Sequence, residues 1–478
     1  MKLSLLLKDV KVLNSYEDVE IADVTEDTRK IKPGALFICI KGGSFDGHSK
    51  AKEMVEAGAA AVVAEVPTGA KNEILVENTR EAFSAICSAF FGNPANKLKL
   101  IGLTGTNGKT TSTYLIKSIL EGAGKKVGLI GTVQNMVCDE IYPAQFTTPG
   151  AYDLNSLFAK MVEAGCEYCV MEVSSQGLYQ GRCSGLHFDI AVFTNLTQDH
   201  LDYHGTMENY KEAKKLLFKN CDNAVINIDD ANGMDMVEGV GCKVFTYSAK
   251  NNSADFVAKN IVLKADGIVY DLLGDGMLGR VRCSIPGTFT VYNSLAAAGV
   301  AYVAGIPFDE VVKAFGFMKG VKGRIEVVPT DTDYTVIIDY AHSPDGLENI
   351  LSSVREFAKK RIIVVFGCGG DRDKSKRPKM AAIAGRLADF VVVTSDNPRT
   401  EDPEAIVNDV AAGLNGIDVD KEIIVNRTEA IRFALQEAKE GDIIVLAGKG
   451  HETYQIIGTV KNHYDEREIV KGILSGEI

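Results

Sequence analysis

The chain has 478 residues, 46% hydrophobic and 24% charged, with a formal net charge of −12. That is a soluble globular balance with length for about three domains, and the acidic excess offers no broad basic face, so no nucleic acid partner is expected. No apolar run nears the roughly 20 residues that span a bilayer, and the leucine-rich residues 3–7 are too short for a secretory segment, which excludes membrane insertion.

Residues 1–98 carry short strand candidates at 35–40, 60–64 and 73–76 and helix-like stretches at 49–57 and 79–91, the second broken by Asn93-Pro94. This reads as a small N-terminal α/β domain. Residues 99–324 alternate helices with apolar strands at 98–103, 127–130, 168–172, 190–194 and 224–228, the pattern of a mostly parallel sheet covered on both faces. Between 255 and 285 the pattern changes to alternating strands with Asp266-Gly267 and Asp275-Gly276 turns, an antiparallel appendage, and a helix-like run follows at 291–304. Residues 325–478 place strands at 335–339, 361–366, 390–394 and 443–447 between helices at 346–359, 378–387, 403–414 and 427–438. That is a Rossmann-like doubly wound domain. The predicted class is therefore α/β in three domains. Ten cysteines show no metal or disulfide framework, and Cys166 with Cys169 lacks a partner pair, so buried thiols in a reducing cytoplasm are expected.

One stretch carries specific chemistry. Gly105-Thr106-Asn107-Gly108-Lys109-Thr110-Thr111 follows an apolar strand and opens a helix. Glycines let backbone N–H groups close on phosphate oxygens, and the helix N-terminus adds partial positive charge. Lys109 would reach the outer phosphates and Thr110 would offer its hydroxyl to Mg²⁺. Leu103 stands where the long P-loop has its first glycine, so this is the shorter T-G-x-x-G-K-[ST] form. A plain glycine turn is the competing reading, and the strand–loop–helix context disfavours it.

Other unusual residues fall at the carboxyl ends of strands, where open α/β sheets gather function. Glu172 ends one strand, followed by Val173 and Ser174, and His200 and His204 follow the next at i, i+4 spacing beside Asp199. A carboxylate with one histidine and phosphate oxygens suits Mg²⁺, whereas histidines alone do not. The last region adds four segments after apolar strands: 339–344, 367–374, 396–399 and 448–452. Glycines and arginines clustered on one face suit a small anionic or zwitterionic molecule, since Arg forks onto a carboxylate.

The ordered set of these segments, with Thr147-Thr148-Pro149, Tyr292-Asn293 and Gly323-Arg324, resembles the Mur ligases, the ATP-dependent amide ligases of peptidoglycan precursor synthesis. It is most similar to the members that add the third peptide residue, and the likeness runs from Asp27 to Arg467. The phosphate loop alone also fits folylpolyglutamate synthetases.

The resemblance implies transfer of meso-2,6-diaminopimelate to the D-Glu γ-carboxylate of UDP-MurNAc-L-Ala-D-Glu through an acyl phosphate, with ATP and Mg²⁺; L-lysine is the alternative amino acid. It implies a uridine-nucleotide domain at 1–98, an ATP domain at 99–324 and an amino-acid domain at 325–478, in a monomeric cytoplasmic enzyme whose third domain closes to assemble the site. By the same resemblance, Gly105, Thr106, Asn107, Gly108, Lys109, Thr110 and Thr111 bind the phosphates, and Asn293, Arg324 and Asp339 hold the nucleotide. Thr110, Glu172, His200 and Lys214 as its carbamate surround Mg²⁺, with Lys109, Lys214, Glu172 and His200 as the catalytic set. Thr147, Thr148, Ser174, Gln180 and Arg182 contact the nucleotide-linked dipeptide, and Thr28, Gly43, Ser44 and Phe45 receive its uridine end. Arg372 and Arg399 fork the distal carboxylate of the amino acid, Gly448 and Glu452 engage its distal ammonium, and Asp396, Asn397 and Pro398 complete that segment. A non-enzymatic nucleotide switch would leave this last cluster without a purpose.

Overall fold

The structure, a computed structural model, describes residues 1–43, 45–318 and 320–478. Contact density divides the chain into two units, Met1–Phe256 with Leu295–Glu310, and Val257–Ser294 with Val311–Ile478. The expected junctions at 98/99 and 324/325 each fall inside one of these units.

The first unit begins with a four-stranded parallel sheet of β1 (Asp23–Thr25), β2 (Ala35–Ile38), β3 (Ala61–Ala64) and β4 (Glu73–Leu75), in that order. Alternate residues explain its two cores. Leu36, Ile38, Ala61 and Val63 pack with Phe83 and Ile86 of the helix Thr79–Phe90, while Phe37, Val62 and Ala64 pack with Ala51 and Met54 of the helix Ala51–Glu56. Asn78 caps the longer helix by accepting from the Arg80 and Glu81 N–H groups.

A second sheet in this unit holds β5 (Lys99–Thr104), β6 (Val127–Ile130), β7 (Asn135–Val137), β8 (Glu140–Tyr142), β9 (Tyr168–Glu172), β10 (Phe188–Phe193), β11 (Cys221–Asn227) and β12 (Lys243–Ser248). Their spatial order is β12-β11-β10-β5-β9-β6-β7-β8, parallel through β6 and antiparallel at the β7–β8 hairpin. Register decides what meets. Thr104 pairs with Phe193 and Leu103 with Glu172, so the loops after β5, β9 and β10 leave one edge together. All ten cysteines are free, and burial pushes the Cys166 thiol up to about 12.

The second unit, from Val257 on, holds an antiparallel meander of β13 (Phe256–Lys264, its first residue in the first unit), β14 (Gly267–Gly274) and β15 (Met277–Cys283). Asp275 and Gly276 form the β14–β15 turn, both with positive φ (49° and 73°), as a two-residue hairpin requires. The preceding turn sits one residue earlier than expected, at Ala265-Asp266, and Gly267 opens the strand, where a Cβ would come within 2.2 Å of the Cys283 carbonyl. Leu263 and Ala265 of the meander pack on the same cluster as Ile325 and Val327, which is why the junction expected at 324/325 is not a break in contacts.

Six further strands follow: β16 (Glu326–Val328), β17 (Thr335–Asp339), β18 (Ile362–Phe366), β19 (Phe390–Val393), β20 (Asp420–Ile423) and β21 (Ile443–Ala447), ordered β16-β17-β21-β18-β19-β20. All are parallel except β16 at the edge. Helices Pro344–Arg355, Lys376–Leu387 and Pro403–Ala411 cover one face, and Arg427–Glu437 and Glu466–Ser475 the other. A hairpin of β22 (Tyr454–Ile457) and β23 (Val460–His463) follows β21. Among the described residues, no helix is long and apolar enough to cross a membrane.

Candidate active site

The phosphate loop is held by its neighbours before any ligand arrives. Gly105 takes φ 147°, and a Cβ there would lie 1.9 Å from Thr194 Oγ1. The Thr106 N–H donates to the Asn195 carbonyl at 2.8 Å, the Asn107 N–H to Asn195 Oδ1 at 2.9 Å, and Thr194 Oγ1 to the Asn107 carbonyl at 2.7 Å. Gly108, left-handed at φ 87°, turns the chain into the helix Lys109–Gly122, whose buried first turn contains Thr110 and Thr111. Lys109 Nζ folds back onto the Gly105 and Thr106 carbonyls at 2.7 and 2.8 Å.

Glu172, 1% exposed, sits behind the loop and accepts from Thr110 Oγ1 at 2.9 Å, the Thr132 N–H at 2.8 Å and Thr132 Oγ1 at 3.0 Å. Thr132 also meets Thr147 Oγ1 at 3.0 Å, and it escaped the sequence reading. Lys214 is 1% exposed, with Nζ 2.9 Å from the Gly105 carbonyl and 4.3 Å from the Tyr210 ring centroid. Burial, with the Lys109 charge adding to it, pushes its amine well below the usual lysine range. Tyr210 in turn lies 3.2 Å from Thr106 Oγ1. His200 is exposed at φ 52°, with Nε2 3.5 Å from Asp199 Oδ2, while His204 is buried with Nε2 3.0 Å from Ser175 Oγ. The two histidines therefore part company.

Among the described residues, no three His, Cys, Asp or Glu side chains converge as a metal cage. The Thr110 hydroxyl and Glu172 carboxylate are a hard-oxygen pair, and Thr104 Oγ1 is buried without a partner among the described residues. This fits a cation such as Mg²⁺ that binds through few protein oxygens and completes its shell with phosphates and water.

Beside this edge, Thr148 Oγ1 lies 3.1 Å from Ser174 Oγ, which caps the helix Ser175–Tyr179. Arg182 donates to the Thr148 carbonyl at 2.6 Å and through Nε and Nη2 to Gln180 Oε1 at 3.1 and 2.7 Å. Gln180 and Arg182 line a cavity of about 200 Å³ with Glu26, Arg80 and Phe146, none of them picked from sequence. Thr28 opens the turn Thr28–Lys30, and Phe45 is exposed; neither they nor Gly43 line that cavity. Ser44 lies outside the described residues.

In the second unit, Asp339 ends β17 buried and accepts from the Ile325 and Ala341 N–H groups at 2.8 and 2.9 Å; burial raises its carboxyl, against the pull of Arg324. The Arg324 guanidinium lies 5.3 Å from the Tyr340 ring centroid. Arg324 Nε and Asn293 Nδ2 are buried without partners among the described residues.

The four segments that follow apolar strands do converge. Arg372, Asp396, Asn397, Arg399, Gly448 and Glu452 line a cavity of about 250 Å³ with Tyr340, His342 and Lys376. Pro398 is buried and does not line it. Glycine is required at 370, where a Cβ would lie 1.9 Å from the Pro398 carbonyl. Arg399, itself left-handed at φ 52°, donates Nη1 to the Gly370 carbonyl at 2.8 Å.

Family models match in three stretches: the Mur ligase family catalytic domain at residues 20–91, the Mur ligase middle domain at 103–301 and the Mur ligase glutamate ligase domain at 323–450. The UDP-N-acetylmuramoyl-L-alanyl-D-glutamate–2,6-diaminopimelate ligase 1 of Clostridium acetobutylicum is 46% identical over 478 residues, with 98% of each chain covered. The chain belongs to the Mur ligase family. A second Mur ligase, the 2,6-diaminopimelate ligase of Caldanaerobacter subterraneus subsp. tengcongensis, is 48% identical over 482 residues, with 99% of each covered. A solved structure of a UDP-N-acetylmuramoyl-L-alanyl-D-glutamate–2,6-diaminopimelate ligase is 34% identical, covers 96% of this chain and 95% of its own, and superposes with a TM-score of 0.71. The three-domain Mur ligase fold of the chain is thereby established.

Proposed function

We propose that the chain is an ADP-forming ligase joining meso-2,6-diaminopimelate to the γ-carboxylate of the D-glutamyl residue of UDP-MurNAc-L-Ala-D-Glu. The observation that carries this reading is the cavity lined by two arginines and two carboxylates, Arg372, Arg399, Asp396 and Glu452. Such a lining matches an amino acid with both a carboxylate and an ammonium at its far end. The names of relatives at 46% and 48% identity support the same substrate pair. L-Lysine would leave the half-buried Arg399 and the exposed Arg372 without a carboxylate partner.

In the first step an oxygen of the γ-carboxylate attacks the γ-phosphorus of ATP; the bond to the bridging oxygen breaks, giving an acyl phosphate and ADP. Residues 105–111 cradle the phosphates at the start of the helix, with Thr106 and Asn107 held by Asn195, and Lys109 offsets the charge that develops as two anions meet. Thr110, Glu172, His200 and the carbamate of Lys214 would hold Mg²⁺, which supplies Lewis-acid charge compensation when bound. The neutral amine that burial favours at Lys214 is the form that adds CO₂, making one C–N bond and releasing one proton. Asn293, Arg324 and Asp339 serve the nucleotide, and Thr147, Thr148, Ser174, Gln180 and Arg182 the linked dipeptide, with Thr28, Gly43 and Phe45 at its uridine end. In the second step the amine of diaminopimelate attacks the acyl carbon, a C–N bond forms, and phosphate leaves with the amine proton passed to solvent. The same reading puts the enzyme in the cytoplasm as a monomer; the free thiols support a reducing compartment.

Mass spectrometry of the products tests this. One ADP, one phosphate and a nucleotide heavier by one diaminopimelyl residue are expected per turnover. ATP hydrolysis that needs no amino acid contradicts it.

A further inference from the structure

The amino-acid cavity rests on a buried cation that the two-step chemistry does not call upon. Lys449 follows β21 and is 0% exposed. Its ammonium meets three acceptors: Asp396 Oδ1 at 3.2 Å, Asn397 Oδ1 at 3.1 Å and the Tyr454 carbonyl at 2.8 Å. Glu452 Oε2 lies 3.5 Å away. Asn397 passes the constraint on, since its Nδ2 donates to Glu452 Oε2 at 3.0 Å while its Oδ1 also receives the Ile456 N–H at 2.9 Å. Its amide is thus fixed from both sides. Asp396 Oδ1 is buried and has no hydrogen bond of good geometry among the described residues, so the nearby ammonium is what compensates it.

We propose that Lys449 is a positioning and specificity-determining residue for the amino-acid substrate. Its charge offsets one of the two carboxylates that line the cavity, and through Asn397 it aims Glu452. One carboxylate is then left to face the ammonium of a zwitterionic far end, while Arg372 and Arg399 on the same lining face its carboxylate. Without Lys449 both Asp396 and Glu452 lose that compensation, which sets a second negative charge against the pull of the arginines on the far carboxylate and favours a bare cation such as the side chain of lysine. This role rests on the ligase reading above.

The test compares Lys449→Met with wild type, using meso-diaminopimelate and L-lysine as alternative substrates and ADP release as the signal. The KM for diaminopimelate should rise about 30-fold or more, as loss of one member of a buried charge set does. The KM for ATP should stay within about twofold. The ratio of kcat/KM for diaminopimelate over lysine should fall about tenfold or more. Should Lys449→Met fail to fold, Lys449→Ala is assayed with n-propylammonium or 1-propanol. Rescue by the ammonium alone supports a charge role; equal rescue by both, or by neither, overturns it. Wild type inactive with both amino acids overturns the ligase reading itself. Active wild type beside a variant with unchanged KM and unchanged preference overturns only the role of Lys449.

Discussion

The phosphate loop and the amino-acid cavity both form at the carboxyl ends of parallel strands, yet they recognise charge by different means. In the loop the proposed binder is backbone held in shape by its neighbours: Asn195 accepts the Thr106 and Asn107 N–H groups, and Thr194 donates to the Asn107 carbonyl. In the proposed amino-acid cavity the groups are side chains, and one holds the next. Arg399 is anchored to the Gly370 carbonyl, Glu452 to Asn397, and Asn397 to Lys449. A backbone cradle serves any polyphosphate, so it carries rate but little choice. A side-chain network carries the choice of amino acid, because removing one member leaves another unpaired.

The largest expected effect breaks the loop without touching the cavity. Lys109→Ala should lower kcat on the order of 10³-fold, the size seen when a preorganised charge stabiliser is lost. Diaminopimelate binding by calorimetry should not change. The reverse separation comes from Arg399→Ala, expected to lower kcat/KM for diaminopimelate about 10²-fold while kcat/KM for lysine holds or rises. A smaller effect acts through packing. Gly370→Ala places a Cβ within 1.9 Å of the Pro398 carbonyl, so the loops must separate. It should cost about 1–3 kcal/mol in denaturant unfolding and raise the KM for diaminopimelate but not for ATP.

The smallest is a pH effect on stability. Burial, with the Arg324 and Arg467 charges adding to it, lowers His451 from the ordinary 6.5 to about 4. Below pH 6.5 the unfolded chain takes up a proton that the folded chain refuses until about pH 4. Stability from this group is therefore intact above pH 6.5 and declines as pH falls toward 4. His451→Gln should flatten that limb in denaturant titrations run across this range.

The same contrast explains what the sequence reveals. Strands 127–130, 168–172, 335–339 and 443–447 are legible to the residue, because runs such as Val-Ile-Ile and Ile-Ile-Val-Leu are buried on both faces and bounded by polar ends. β20, Asp-Lys-Glu-Ile, is exposed throughout and carries no apolar pattern to read. The helix Met207–Lys215 is missed for a similar reason: only Tyr210, Ala213 and Lys214 are buried in a polar run, so Lys214 stands out by family likeness and not by pattern. The phosphate loop is legible because its chemistry is contiguous. Thr132, Arg80 and Lys449 are not, since each acts through partners brought near by the fold from 40, 39 and 52 residues away. His200 and His204 show the converse, a pair that sequence spacing joins and burial separates.

The most direct test of the central claim is a comparison of kcat/KM for meso-diaminopimelate and L-lysine, measured by ADP release with UDP-MurNAc-L-Ala-D-Glu, ATP and Mg²⁺, in wild type and Arg399→Ala. Wild type should use diaminopimelate and reject lysine, and the substitution should erase most of that preference. Equal use of both amino acids by wild type, or an unchanged preference in Arg399→Ala, would contradict the assignment of the cavity.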